Sequence, residues 1–198
     1  IGGFSPEKRY EDKDPAHLAE WRELSLRWFQ HGAFVPIFRL HGQFPYREIW
    51  EIAPEGTPHY DSFVHYLKLR YTLLPYIYTL AGDTWQKDGT ILRTLAMDFP
   101  SDPNVRDIAD QYLFGPAFLV APVTTFKATT RPVYLPAGTS WIDFETGKRY
   151  DGGQTIEAAA PLQRMPLFVR AGAIVPRTVV QQYVDEKPDA PLTIEVYT

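Results

Sequence analysis

The sequence lacks several features that would define its chemistry directly. None of its 198 residues is cysteine, which excludes a disulfide framework, a thiolate zinc site and a cysteine nucleophile. No apolar run approaches the roughly 20 residues that cross a bilayer, so we expect no contact with a membrane. An excess of positive charge is also missing, because 20 Lys and Arg stand against 24 Asp and Glu. Nucleic acid is therefore not an expected partner.

The motifs of phosphate, dinucleotide and zinc-protease chemistry are absent as well. The chain contains no G-x-x-x-x-G-K-[ST], no G-x-G-x-x-G and no H-E-x-x-H. His59 and His65 are six residues apart, a spacing that does not place two side chains on one helix face. We therefore predict no metal site.

What the chain does contain is typical of a globular protein that begins as an α/β unit. Hydrophobic residues make up 44% of it, including five Trp, 12 Tyr and 12 Phe. Asp14 and Pro15 predict the start of a helix that ends near Gly32. The helix has a predicted core-facing stripe of Leu18, Trp21, Leu24 and Trp28. The apolar segment 33–40 then predicts a buried strand of a parallel sheet.

The pattern changes from helical to extended near residue 90. Thr57 and Pro58 predict a second long helix, which runs to about Gly82 and is kinked by Pro75. Residues 91–99 predict a strand. Short extended segments separated by glycine-containing turns follow, at 113–123, 132–135, 141–144, 155–158, 167–170 and 174–175. Their spacing predicts an antiparallel β-sandwich.

One histidine stands out as a candidate ligand-binding residue. His41 follows the predicted buried strand and precedes Gly42, and the carboxyl ends of parallel strands form the active-site edge of α/β folds. Arg39, Arg47 and Glu48 cluster around it in sequence. Composition leaves open whether they contact a ligand or form an internal ion-pair network, and whether His41 is only a hydrogen-bonded core residue.

Other polar and aromatic residues favour structural roles. Asp98, Asp143 and Asp151 each stand beside a turn or strand end, where carboxylates commonly cap turns. Trp21 and Trp141 have the size to stack on a sugar ring, but a buried tryptophan more often belongs to the core.

The residues resemble the C-terminal part of glycoside hydrolase family 31, the retaining α-glycosidases. The similarity extends along nearly the whole chain, and no single block carries it. The matching blocks are 1–4 (I-G-G-F), 27–36 (R-W-F-Q-H-G-A-F-V-P), 38–42 (F-R-L-H-G), 46–50 (Y-R-E-I-W), 111–116 (Q-Y-L-F-G-P), 119–123 (L-V-A-P-V), 133–136 (V-Y-L-P) and 166–172 (P-L-F-V-R-A-G).

The resemblance implies a fold that is α/β plus all-β. Residues 1–89 are expected to be the C-terminal part of a catalytic (β/α)8 TIM barrel, residues 90–176 a proximal C-terminal β-sandwich, and residues 177–198 the start of a distal β-domain. The chain starts without Met and stops inside an alternating apolar run. We therefore expect both ends to be cuts and the N-terminal part of the same enzyme to be a partner.

The resemblance also implies a sugar-binding role for two residues. His41 matches a family histidine that hydrogen-bonds the sugar, and Phe4 matches an aromatic residue of the same pocket, while Arg39, Arg47 and Glu48 are supporting residues without an assigned role. The two catalytic aspartates of the family precede the segment that matches Ile1. No catalytic residue is therefore expected in this chain, which alone should be inactive, and the chemistry implies no cofactor.

The expected substrate is an oligosaccharide. Segments 35–43, 152–156 and 185–188 look closest to bacterial α-xylosidases that act on xyloglucan, with α-glucosidase as the alternative. A third possibility is a non-catalytic β-module that binds carbohydrate or packs against a partner. The compartment stays open, although analogy with bacterial enzymes of this type favours the periplasm or secretion.

Overall fold

The first half of the chain is helical. The computed structural model describes residues 1–12 and 14–198. The helices are α1 (Pro15–Gly32), α2 (Ile49–Ile52), α3 (Pro58–Thr72), α4 (Leu74–Lys87) and α5 (Leu95–Asp98), with short 3-10 helices at Lys8–Glu11 and Pro103–Val105.

The start and end of α1 agree with the sequence signals. The Asp14 carboxylate accepts a hydrogen bond from the backbone N–H of Ala16 at 2.8 Å, and Pro15 occupies the first turn. At the other end, a Cβ on Gly32 would lie within 3 Å of the side chains of Ile1 and Phe38. Glycine therefore allows the N-terminal segment and the segment after α1 to approach the helix closely.

The second long helix is divided rather than kinked. Thr57 caps α3 by accepting a hydrogen bond from the N–H of Tyr60 at 3.3 Å. Leu73 separates α3 from α4, and Pro75 lies in the first turn of α4, where its missing N–H leaves no helical bond unmade. Helix α4 continues past the predicted end at Gly82 to Lys87, where Asp88 ends it in the left-handed conformation at φ 54°.

The predicted buried strand at residues 33–40 is wrong for this chain. The segment forms no strand, and Ile37 is 81% exposed. A barrel strand needs a neighbouring strand on each side to pair with its backbone, and the described residues supply neither. Instead, the Arg70 guanidinium donates hydrogen bonds to the carbonyls of Ala33, Val35 and Pro36 at 2.8, 2.7 and 3.1 Å.

The second half is antiparallel β-structure, as predicted. Its strands are β1 (Leu92–Arg93), β2 (Tyr112–Phe114), β3 (Phe118–Val120), β4 (Thr130–Leu135), β5 (Ser140–Asp143), β6 (Arg149–Asp151), β7 (Gln154–Ala159), β8 (Leu167–Arg170), β9 (Ile174–Arg177) and β10 (Thr193–Val196). The main sheet has the order β1-β2-β3-β8-β5-β6, while β4 pairs with β7 and β9 pairs with β10. Assignment of residues 177–198 to a distal domain, like the boundaries at 89 and 176, stays a prediction.

The strand predicted at 91–99 is also wrong beyond its first residues. After the two-residue β1, the chain turns into α5, and the N–H of Phe99 donates to the carbonyl of Leu95 at 2.9 Å. Leu95 and Phe99 are both buried. Their separation by four residues is a helical spacing, so one helical turn directs both side chains into the same core.

The main sheet is covered on both faces. Phe118 and Val120 pack into a core shared with the helices, whereas Leu119, between them, faces a second core closed by the β4–β7 pair. This alternation is the period of a strand. Trp141 is fully buried in the second core, which confirms its structural role.

The core-facing side of α1 differs from the predicted stripe. Trp21 is buried, but Leu24 and Trp28 are 37% and 41% exposed, and Leu26 and Phe29 are buried instead. The same helix also buries Arg27, a polar residue.

Polar side chains join the helices to the β-structure. Arg27 is buried and donates hydrogen bonds of 3.0 to 3.1 Å to four backbone carbonyls of the β-rich half, those of Ala128, Ala160, Pro161 and Arg164. The Tyr76 hydroxyl donates to the Phe114 carbonyl at 2.9 Å and accepts from the Ala117 N–H at 3.1 Å. These contacts join two halves that differ in secondary-structure class.

The Tyr76 hydroxyl provides a test of this junction. We expect Tyr76→Phe to lower the free energy of unfolding by about 2 kcal/mol, because it leaves a buried carbonyl and a buried N–H without partners. Tyr78→Phe is the matched control on the same helix: Tyr78 is 83% exposed, so its loss should stay within about 0.5 kcal/mol. Urea unfolding measures both, and equal losses would contradict the assignment.

Candidate functional site

Two segments that are distant in sequence lie side by side at one edge of the helical half. The backbone N–H of Gln43 donates to the Phe4 carbonyl at 2.8 Å, and the backbone nitrogen of Ile1 donates to the Arg39 carbonyl at 2.8 Å. The N-terminal segment 1–4 is thereby held against the segment 39–43. This contact brings the two sequence-predicted sugar-binding residues together.

Phe4 and His41 form an exposed pair of rings. Their centroids are 5.4 Å apart and the planes are inclined by 47°. Phe4 is 53% exposed, and His41 is also exposed. An aromatic face can cover the apolar face of a sugar ring, and an imidazole can donate to or accept from a hydroxyl group. The pair therefore offers both elements of sugar recognition.

Arg47 lies beneath this pair and is buried, with 7% of its surface exposed. Its Nε donates to the Pro45 carbonyl at 3.0 Å, and its guanidinium carbon lies 4.9 Å from the centre of the Trp21 ring. Burial lowers the pKa of Arg47, but an arginine stays protonated at any physiological pH. Sequence reasoning named Arg47 without a role and placed Trp21 only in the core.

The other two supporting residues do not join the buried network. Arg39 and Glu48 are exposed, and among the described residues neither side chain takes part in an ion pair. The backbone carbonyl of Arg39 accepts a hydrogen bond from the backbone nitrogen of Ile1. The Glu48 carbonyl accepts from the N–H groups of Glu51 and Ile52 at the start of α2. The ion-pair network left open by the sequence is therefore not formed by these residues.

A cavity of about 230 Å³ opens beside His41. It is lined by residues 40–48, which include the aromatic side chains of Phe44 and Tyr46. Both are exposed, and their rings meet edge to face at 5.4 Å. Sequence reasoning missed these two, although the F-P-Y sequence that follows Gly42 was a usable signal. The only carboxylate in this lining, within the part of the chain that the structure describes, is Glu48.

A larger cavity lies elsewhere, between α1 and the β-rich half. It measures about 550 Å³ and is lined in part by Leu24, Trp28 and Phe126. None of the sequence-predicted site residues lines it. The smaller cavity is the candidate site because it contains His41 and the residues around it.

The carboxylates considered for hydrolysis have structural partners or are exposed. Asp98 pairs with Arg93 at 2.6 Å. Asp143 pairs with Arg164 and accepts hydrogen bonds from two N–H groups of the following turn, at 3.1 and 2.9 Å. Asp151 is an exposed residue at the end of β6. Asp143 therefore holds a turn, as the sequence predicted, whereas the partner of Asp98 is a side chain.

The described residues contain neither a metal-binding cluster nor a membrane-spanning helix. Over residues 1–12 and 14–198, no group of three or more His, Asp or Glu side chains is placed to hold a metal ion. Over the same ranges, every helix is too short or too polar to span a bilayer.

Comparison with family models places both halves in one family. Residues 1–80 match the TIM-barrel domain of the family 31 glycosyl hydrolases, and residues 88–175 match the C-terminal domain of the same family. The helical half is thus the end of a TIM barrel. Its expected strand is unpaired because barrel strands bind their neighbours around a closed ring.

Three relatives illustrate the similarity. A crystal structure of a family 31 α-xylosidase from Xanthomonas citri is 74% identical, with a TM-score of 0.98 over 100% of this chain and 22% of that one. An α-xylosidase of Saccharolobus solfataricus is 43% identical over 79% of this chain and 21% of its own length. Neutral α-glucosidase AB of Sus scrofa is 37% identical over 99% of this chain and 20% of its own length.

The chain therefore spans about a fifth of the length of these relatives. Its matches follow one another in the order barrel, then β-domain, across residues 1–175. By family models, sequence identity and fold, the chain belongs to glycoside hydrolase family 31.

Proposed function

We propose that this chain is the end of the barrel and the adjoining β-domain of a retaining α-glycosidase, most specifically an α-xylosidase. The observation that carries the proposal is 74% identity to the Xanthomonas citri α-xylosidase along the whole chain. The Phe4–His41 pair beside its cavity supports a sugar-binding role for this edge. The substrate is a terminal α-linked xylose of a xyloglucan oligosaccharide.

In this proposal, the chain binds the sugar and another part of the enzyme cleaves the bond. Retention requires two carboxyl groups roughly 5 to 5.5 Å apart, one attacking the anomeric carbon and one protonating the leaving oxygen. Both belong to earlier barrel strands. Phe4 covers the apolar face of the bound sugar, and His41 hydrogen-bonds one of its hydroxyl groups. No cofactor takes part, because carboxyl groups and water suffice.

Two alternative functions are distinguished from the proposed one by the tests below. An α-glucosidase is the first alternative, since the pig α-glucosidase aligns with 99% of this chain. The two specificities differ in the space around C6, where xylose lacks the hydroxymethyl group of glucose. A non-catalytic β-module is the second. The shared core of barrel helices and sheet argues against an independent module.

The role of His41 can be tested in the full-length enzyme that contains this chain. We expect His41→Ala to lower kcat/KM for an aryl α-xyloside by roughly 10- to 100-fold, because a lost hydrogen bond to bound substrate costs about 1 to 3 kcal/mol. His65→Ala is the matched control, since His65 is exposed on α3 and lines neither cavity. Unchanged kcat/KM in His41→Ala would remove His41 from the site.

The sugar specificity can be tested with matched aryl α-xyloside and α-glucoside substrates. We expect the full-length enzyme to cleave the xyloside with a kcat/KM at least about ten-fold higher, since a pocket shaped for the smaller sugar excludes the extra hydroxymethyl group. Residues 1–198 alone should cleave neither. A faster α-glucoside would establish the first alternative, and inactivity of the full-length protein towards both would reject the proposed glycosidase.

A further inference from the structure

The candidate site contains a buried cation without a carboxylate partner. Arg47 is 7% exposed, and no carboxylate of the described residues lies within 4.0 Å of its guanidinium. Removing a charge from water is costly unless other groups replace the water. The groups that do so here reveal what the side chain holds in place.

The guanidinium joins both segments of the site. Its Nε donates to the Pro45 carbonyl at 3.0 Å, in the segment that follows His41. Its two terminal nitrogens lie 3.4 Å from the carbonyls of Gly2 and Phe4, in the N-terminal segment. Three acceptors from two segments thus surround one planar group.

Gly42 provides the space for this arrangement. A Cβ at Gly42 would lie 2.5 Å from Nη2 of Arg47 and 2.6 Å from the carbonyl oxygen of Phe4. The backbone of Gly42 is not in the left-handed region, so close approach, rather than its conformation, requires glycine. The next residue, Gln43, donates to that same Phe4 carbonyl at 2.8 Å.

We propose that Arg47 is a positioning residue that sets the distance and angle between the Phe4 and His41 rings. The inference rests on the proposed function, because it assigns those two rings to the sugar. Arginine suits the role since its rigid planar fork reaches acceptors in several directions at once, which the single ammonium group of lysine cannot do. Arg47 itself is not expected to touch the sugar.

The test is a mutant cycle in the full-length enzyme, with kcat/KM measured on an aryl α-xyloside. Arg47→Lys is made both in the wild type and in the Phe4→Ala/His41→Ala variant, which lacks both rings. We expect a loss of about ten-fold in the wild type, a size common for residues of one hydrogen-bond network. In the variant without the rings, we expect a loss below about two-fold, because nothing remains to be positioned.

Arg70→Lys is the matched control. Arg70 also donates to three carbonyls, those of Ala33, Val35 and Pro36, and lies 5.4 Å from the centre of an aromatic ring. Arg70 holds a different segment, so Arg70→Lys should change kcat/KM by the same factor in the wild type and in the variant without the rings. The proposal is overturned if Arg47→Lys lowers kcat/KM by the same factor in the wild type and in the variant without the rings. It is also overturned if the loss caused by Arg70→Lys depends on the rings as strongly as the loss caused by Arg47→Lys.

A second variant keeps the proposal testable if Arg47→Lys fails to fold. Gly42→Ala retains the arginine but places a methyl group against its guanidinium. It should therefore lower kcat/KM in the wild type and have little effect in the variant without the rings. Circular dichroism and thermal unfolding establish that each variant is folded. An inactive wild-type enzyme would reject the proposed function itself, whereas an active one with background-independent losses would reject only the role of Arg47.

Discussion

The end of the barrel is stabilised by burying its apolar side chains on the central β-sheet. Phe34, which follows α1, meets Phe114 and Phe118 of the sheet with ring centroids 5.8 and 5.9 Å apart, and Tyr76 of α4 reaches the same rings at 6.2 and 5.3 Å. Barrel helices normally cover the strands of their own barrel. Here the barrel helices and the β-domain share one hydrophobic core, so each part buries apolar surface of the other.

This core fixes the position of the candidate site through α1. Phe29 belongs to the core and packs edge to face on Phe38, with centroids 4.6 Å apart, just before the segment that ends in His41. Two turns earlier on the same helix, Trp21 places its ring against the guanidinium of Arg47. The pocket residues and Arg47 lie on loops, but Trp21 and Phe29, which pack against these loops, belong to a rigid helix. Packing on a helix gives a site on loops a defined geometry.

Sequence signals were sufficient to predict the features that depend only on residues close together in the chain. The caps at Asp14 and Thr57 and most strands between 130 and 177 were predicted because each depends on neighbouring residues. The strand at 33–40 failed because an apolar run indicates burial without naming the partner that buries it. On α1, Trp28 is partly exposed while its neighbour Arg27 is buried, and hydrophobic periodicity does not predict a buried arginine. Family resemblance placed Phe4 and His41 in one pocket. The contacts of Arg47 with Gly2 and Phe4 join residues 45 and 43 positions apart and are seen only in the folded chain.

The uncharged partners of Arg47 suit a residue that joins two backbone segments. A carboxylate beside the guanidinium would neutralise its charge more directly. It would also compete for the N–H groups that hold the carbonyls of Gly2, Phe4 and Pro45. Backbone carbonyls and the face of Trp21 satisfy the cation without adding negative charge. In the proposed enzyme, the donors of this one cation hold together the two segments that carry the sugar-binding rings.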